Sequence, residues 1–280
     1  MSTASPEGDV YVSPVYLAGS TFTGDPALLP LLSEGFRLHL DELGNVFVSS
    51  PDQRFRLGYL PEGDDSTLWK ITAHTDPFGS PRWLATFDDN TPTELVTAFT
   101  TALAENYRNT PDVALRGEAS NSRGFQPLGD AGWKAEHGPR LSIATSPDGL
   151  AEVTYFSGLL NHEEEVNGYK ERWTAAGGHE GYDSRWTASF STHTPTHLIA
   201  ATMTALTDPT PVERNERHIP QRNRGAARIT PVNPPVPSPL DVRQTAAARA
   251  RSVIPRPITR PLAPVAGAGA ALPLRSARRR

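Results

Sequence analysis

Two triplets set a hydroxyl two residues from a carboxylate: Ser50-Pro51-Asp52 and Ser146-Pro147-Asp148. A serine near an acid is the beginning of a nucleophile with its base, provided a third group orients the base. No histidine falls at a matching place in both halves of the chain, and the Gly-x-Ser-x-Gly elbow is absent. Proline presets the backbone angle and aspartate bonds nearby amides, so both triplets read as turns. His193 and His197 have the i, i+4 spacing of a metal pair. His193, however, precedes the helix start at Thr194-Pro195, so helical geometry does not bring the two imidazoles together. Glu163-Glu164-Glu165 beside His162 has the charge to hold a divalent cation but lacks the aspartate–glycine frame of a calcium loop, and reads as a solvated loop. Phosphate loops and dinucleotide fingerprints are missing. With no cysteine there is no thiolate nucleophile, disulfide or cysteine-zinc site. No catalytic residue, metal or cofactor is expected, and the chain is not read as an enzyme.

The elements that carry these residues occur twice. Ser50-Pro51-Asp52 with Tyr59 recurs 96 positions later as Ser146-Pro147-Asp148 with Tyr155. Arg82-Trp83, Ala85, Phe87, Thr91-Pro92-Thr93, Leu95, Ala98 and Thr101-Ala102-Leu103 recur 103 positions later. Their counterparts are Arg185-Trp186, Ala188, Phe190, Thr194-Pro195-Thr196, Leu198, Ala201 and Thr204-Ala205-Leu206. Asn90 and Glu94 stand where the second half has His193 and His197. A unit of about 100 residues is too long for a solenoid repeat, so each copy is expected to hold its own core.

The recurring Ser-Pro-Asp…Tyr pattern, the following Trp, the Trp-x-Ala-x-Phe strand and the Thr-Pro helix start resemble the SPDY domain. The resemblance covers roughly residues 14–108 and 125–210. It implies an actinobacterial domain of unknown function, often present in tandem, and so carries a fold expectation with little chemistry. The second copy departs in detail: Trp133 stands in the Phe36 region, and Glu163-Glu164-Glu165 is an insertion.

Apolar periodicity supplies the elements. Asp25-Pro26 opens a short helix through Leu28, Leu29, Leu31 and Leu32 that Gly35 ends. Phe36–Leu40, Val46–Val48, Phe55–Tyr59, Trp69–Ala73 and Trp83–Phe87 alternate as half-buried strands do. Thr91 is the expected N-cap of a closing helix, with Glu94 completing a capping box. Leu95, Phe99 and Leu103 share one face of it. The second copy repeats the scheme through Leu141-Ile143, Val153-Tyr155, Trp173-Ala175 and Trp186–Phe190 to a helix from Thr194. The expected fold class is α+β: two tandem repeats, each a small antiparallel sheet followed by a C-terminal helix packed on it. The expected division is an N-terminal tail (1–13), a first copy (14–108), a linker (109–124), a second copy (125–212) and a disordered Pro/Ala/Arg-rich basic tail (213–280). Two strands-then-helix units also resemble the PUR and Whirly arrangement, in which such units pair into one body; fold alone does not give function.

Charge divides the chain further. The net charge of −4 is the sum of −9 over residues 1–110, −6 over 111–212 and +11 over 213–280, where every cation is arginine. Arg249, Arg251, Arg256, Arg260, Arg275, Arg278, Arg279 and Arg280 are candidate phosphate contacts, binding by charge without reading sequence. Trp69, Trp83, Trp173 and Trp186 occupy equivalent strand positions. Exposed, they would be a stacking platform for single-stranded nucleic acid; alternation with apolar neighbours assigns them to the core instead. No apolar run reaches the ~20 residues of a membrane span. The N-terminus lacks the basic region of a secretory signal. Together with the missing cysteines, this sets a cytoplasmic expectation. The function read here is a non-catalytic binding or interaction module with an unidentified protein partner. The alternative is a single-stranded nucleic-acid binder using sheet aromatics and the basic tail.

Overall fold

Alternating strands need a cover for their apolar face, and in this chain the closing helices of both copies supply it. A computed structural model describes residues 8–63, 66–116 and 121–232. The first copy runs β1 (Asp9–Ser13), α1 (Asp25–Ser33), β2 (Arg37–Leu40), β3 (Val46–Ser49), β4 (Phe55–Tyr59), β5 (Thr67–Ala73), β6 (Trp83–Asp88) and α2 (Thr93–Asn109). The second runs α3 (Pro111–Leu115), α4 (Asn121–Asp130), β7 (Lys134–His137), β8 (Leu141–Thr145), β9 (Ala151–Phe156), α5 (His162–Val166), β10 (Trp173–Gly177), β11 (Trp186–Phe190) and α6 (Thr196–Thr207). Two strands follow, β12 (Val212–Asn215) and β13 (Arg228–Pro231). The class is α+β with antiparallel sheets.

The copies are not two separate bodies. Strands β6 and β11 pair antiparallel, Ala85 opposite Phe190 and Phe87 opposite Ala188. This seam joins two five-stranded meanders into one ten-stranded sheet of order β2-β3-β4-β5-β6-β11-β10-β9-β8-β7. On the covered face, α1 packs on α2, α4 on α6, and α2 on α6 across the seam. The expectation of one core per copy is therefore corrected: Trp83, Phe87, Phe99, Trp186 and Phe190 belong to a single buried cluster. Phe87 meets Phe190 edge-on at 5.7 Å, and Phe99 stacks on Phe190 at 5.9 Å. Alternation places apolar residues on one face of each strand but says nothing about which strand edge pairs with which.

The repeat extends forward to the first helix of each copy. Pro30-Leu31, Gly35 and Phe36 are matched 97 positions later by Pro127-Leu128, Gly132 and Trp133. Gly35 and Gly132 both take left-handed backbone, φ 81° and 79°. In each, the next amide returns to the helix: Phe36 N donates to Leu31 O at 3.2 Å, and Trp133 N to Leu128 O at 3.0 Å. The segment expected as a linker, 109–124, thus holds α3 and the start of α4.

Three further expectations fail for identifiable reasons. The sequence reading sets residues 1–13 in a tail outside the first copy and 213–280 in a disordered tail, yet β1 lies between β12 and β13 in a three-stranded sheet. Val10, Val12, Ala18 and Ile219 form its small core. β12 and β13 are four-residue strands with one apolar side chain each, and β1 pairs with partners about 200 residues away, so pairing between distant segments decided the outcome. The capping box is also absent. Helix α2 begins at Thr93 after Pro92, with no side-chain cap. Glu94 turns instead to Arg214, whose Nη1 and Nη2 donate to its two oxygens at 2.8 and 2.5 Å. Finally, Glu163-Glu164-Glu165 is not a solvated loop. It lies in α5, capped by the Asn161 side chain, and Glu165 is buried.

Candidate functional site

The Ser-Pro-Asp triplets close the β3–β4 and β8–β9 hairpins in the same way. Ser50 Oγ donates to Asp52 Oδ1 at 2.6 Å and accepts from Phe55 N at 3.0 Å. Ser146 Oγ donates to Asp148 Oδ1 at 2.6 Å and accepts from Ala151 N at 2.9 Å. Each serine proton is committed to the aspartate, and each aspartate's second oxygen is also taken. Asp52 Oδ2 accepts from Arg54 Nε at 2.7 Å. Asp148 Oδ2 accepts from the Tyr16 hydroxyl at 2.9 Å. Burial acts to raise both carboxyls, but the serine hydroxyls and the other bonds outweigh it and hold them below the usual range. Burial, then Asp148, pushes the Tyr16 hydroxyl above its ordinary range. The triplets are hydrogen-bonded turns with no free nucleophile.

Tyr59 and Tyr155 tilt onto the next strand's tryptophan, at 4.6 Å from Trp69 and 4.8 Å from Trp173. All four tryptophans are at most 4% exposed. Trp83 Nε1 donates to Ala114 O at 3.0 Å, and Trp186 Nε1 to Tyr16 O at 2.9 Å. Each copy's indole therefore binds the segment leading into the other copy. A ring closed in this way cannot stack on a base, so the sheet tryptophans are no nucleic-acid platform. The SPDY domain, a Domain of unknown function (DUF317), matches residues 49–108 and 145–212. The chain carries two SPDY-domain segments in tandem. No curated protein and no solved structure matches it.

The Thr-Pro-Thr starts of the two SPDY helices hold the seam. Thr194 Oγ1 donates to Leu84 O at 3.1 Å, and its counterpart Thr91 Oγ1 lies 3.4 Å from Thr187 O. Leu84 N donates to Ser191 Oγ at 2.9 Å, and Thr187 N to Asp88 Oδ2 at 2.6 Å. Asp88 is thus the first copy's counterpart of Ser191. Burial pushes its carboxyl up to about 6, against the lowering effect of the Thr91 and Thr187 bonds.

The face of the ten-stranded sheet away from the helices is where the SPDY copies differ. In the first copy Gly58 faces it between Phe47 on β3 and Lys70 on β5. Thr154 takes the corresponding place in the second copy, flanked by Ile143 and Thr174. Without a side chain at 58, a notch of 460 Å³ opens among Phe47, Arg56, Gly58, Leu60, Lys70 and Thr72. The insertion of the second copy, from α5 to Glu171, crosses the seam and packs on β6. His162 Nε2 lies 3.1 Å from Pro81 O, and Glu165 accepts from Thr192 N and Oγ1 at 2.8 and 2.7 Å. The insertion walls a second cavity of 310 Å³, lined by Lys70, Thr86, Asp88, Glu171, Thr187 and Ser189. Leu60 and Lys70 line both cavities. Lys70 is exposed and makes no ion pair among the described residues.

Other candidates are not assembled. His193 lies beside His162 at 5.4 Å, away from any helical pairing with His197. Burial first, then Arg82 and His162, lowers its pKa. The described residues contain no group of three or more His, Cys, Asp or Glu placed to hold a metal ion. Among them no helix is long and apolar enough to cross a membrane. Arg249, Arg251, Arg256, Arg260, Arg275, Arg278, Arg279 and Arg280 lie outside the described residues. Sequence reasoning passed over Phe47, Gly58, Lys70 and Asp88. The available signal was Gly58, a glycine inside a strand, which marks a bulge or a close approach.

Proposed function

We propose that this tandem SPDY protein is a non-catalytic binding module of the cytoplasm whose site is the double cleft on the open sheet face of its first copy. The observation that carries this reading is the divergence of the copies. Residues shared by both are consumed by turns, seam and core. Those facing the open sheet differ: Gly58 against Thr154, Lys70 against Thr174 and Phe47 against Ile143. A concave site with Lys70 as an exposed cation outside any ion pair among the described residues, and with few convergent polar groups, suits reversible capture of a ligand. Nothing in it pairs a nucleophile with a base, which favours binding over turnover.

The test is a thermal-shift screen of small molecules and peptides on the full chain, repeated with Gly58→Thr, which copies the second repeat. Stabilisers whose shift disappears in the variant support the reading. Stabilisers indifferent to it place the site elsewhere. A second reading, nucleic-acid binding, rests on the charge of the C-terminal part alone, since the sheet tryptophans are buried. Residues 233–280 carry nine arginines against Asp241. Binding there would fall steeply with salt and be lost on ending the chain at residue 232.

A further inference from the structure

We infer that the cleft takes an amphipathic anion: a flat apolar end over Gly58 and Phe47, an acidic group on Lys70, and a hydrogen-bond-donating end toward Asp88 and Glu171. This rests on the binding reading above and names its ligand class. Three features of the surface carry it. The larger compartment opens where β4 has no side chain at Gly58, with the Leu60 side chain against that glycine, and Phe47, 41% exposed, stands on the adjoining strand. A Cβ built on Gly58 would lie 3.3 Å from Leu60 Cδ2, so any side chain there crowds the notch. The smaller compartment is lined by hydroxyls and carboxylates. Its floor is the Thr86–Ser189 hydroxyl pair, 2.7 Å apart, spanning the seam.

Lys70 stands between the two compartments. Arg56 lies on the same face of the neighbouring strand, diagonal to Lys70, with Nη2 donating to Pro77 O at 2.5 Å. The guanidinium is thereby held in place beside the notch. The first copy around them is strongly acidic, at −9 over residues 1–110, so this pair of cations on one small patch selects an anion against the general field. Asp88 and Glu171 then repel an acidic group from the smaller compartment and accept from hydroxyl or ammonium groups there. The second copy presents Glu152 and Thr174 in place of Arg56 and Lys70, so its corresponding strand positions lack the cation pair.

The probe is naphthalene-2-sulfonate, titrated into the full chain by calorimetry beside the neutral 2-(hydroxymethyl)naphthalene. Expected are one saturable site, at least tenfold weaker binding of the neutral compound, and at least tenfold loss with either Lys70→Glu or Gly58→Thr. Lys134→Glu, an exposed cation on the far edge strand, should change affinity less than twofold. Lys70→Glu alters an exposed side chain, so its folding is checked by an unchanged circular dichroism spectrum and melting point. Equal affinity in wild type and Lys70→Glu overturns the inference, as does the absence of saturable binding. If the thermal-shift screen finds only neutral or cationic compounds that depend on Gly58, the ligand class fails while the site stands. If no compound depends on Gly58, both fail.

Discussion

Removing Arg214 should destabilise the protein out of proportion to its place near the expected tail. Arg214 is 3% exposed and its guanidinium is fully used. Nε and Nη2 donate to Gly19 O at 3.1 and 2.9 Å, Nη1 and Nη2 to Glu94, and Nη1 to Glu213 O at 2.7 Å. These bonds tie β12 to the loop before α1 and to the first turn of α2. Breaking a buried pair by removing one partner costs about 3–5 kcal/mol, most of it from the charge left behind. The Glu94 side chain is 34% exposed and can hydrate, which favours the lower end. The buried Gly19 carbonyl loses two donors, adding about 1 kcal/mol. Arg214→Met should therefore lose about 3–4 kcal/mol in urea unfolding at unchanged m. Arg214→Met with Glu94→Gln should recover 1 kcal/mol or more, since the orphan charge is gone. Ending the chain after Val212 should be at least as damaging, whereas ending it after Val232 should leave the midpoint unchanged. A loss below 1 kcal/mol for Arg214→Met, or strict additivity with Glu94→Gln, would refute the reasoning.

Gly124 and Gly129 lie on the same helix and should respond with opposite signs. A Cβ on Gly124 would fall 2.5 Å from Trp173 Cη2, whereas one on Gly129 meets nothing within 4 Å. Gly124→Ala should cost about 1–3 kcal/mol through overpacking, and Gly129→Ala should gain about 0.5–1 kcal/mol; equal effects in urea unfolding would contradict the packing described. Asp88 has a folded pKa of about 6, raised above its ordinary 3.8. The stability it contributes is fully present below about 3.8 and is lost as pH rises through 6, a change of up to about 3 kcal/mol. Asp88→Ser, matching Ser191, should flatten that part of the stability–pH curve; an unchanged slope between pH 4 and 6 counts against the seam assignment. Trp83→Ala and Trp186→Ala should each cost about 3–5 kcal/mol, with a loss under 1 kcal/mol in either case showing that the ring is not packed as described.

What the amino-acid order determined by itself was local or repeated. Alternation at Phe55–Tyr59 or Trp83–Phe87 sorts side chains between two faces, so those strands and their buried face were legible, as was the helix carrying Leu95, Phe99 and Leu103. Identical residues at constant offset made the duplication plain. Tertiary structure decided whatever depended on distant partners. Whether the copies stand apart or share a sheet turned on the pairing of β6 with β11, a matter of backbone edges that side-chain pattern does not encode. Glu94 had an appropriate spacing for a capping box, but Arg214, 120 residues away, offered a bidentate, buried pair. β1 lies about 200 residues from β12 and β13 in sequence, and the three gain order by hydrogen-bonding one another over a small core of Val10, Val12, Ala18 and Ile219. The candidate cleft was the least legible element of all. It arises because one strand lacks a side chain at Gly58 and an insertion of the other copy folds across the seam beside it, and only packing in three dimensions brings an absence and an insertion together.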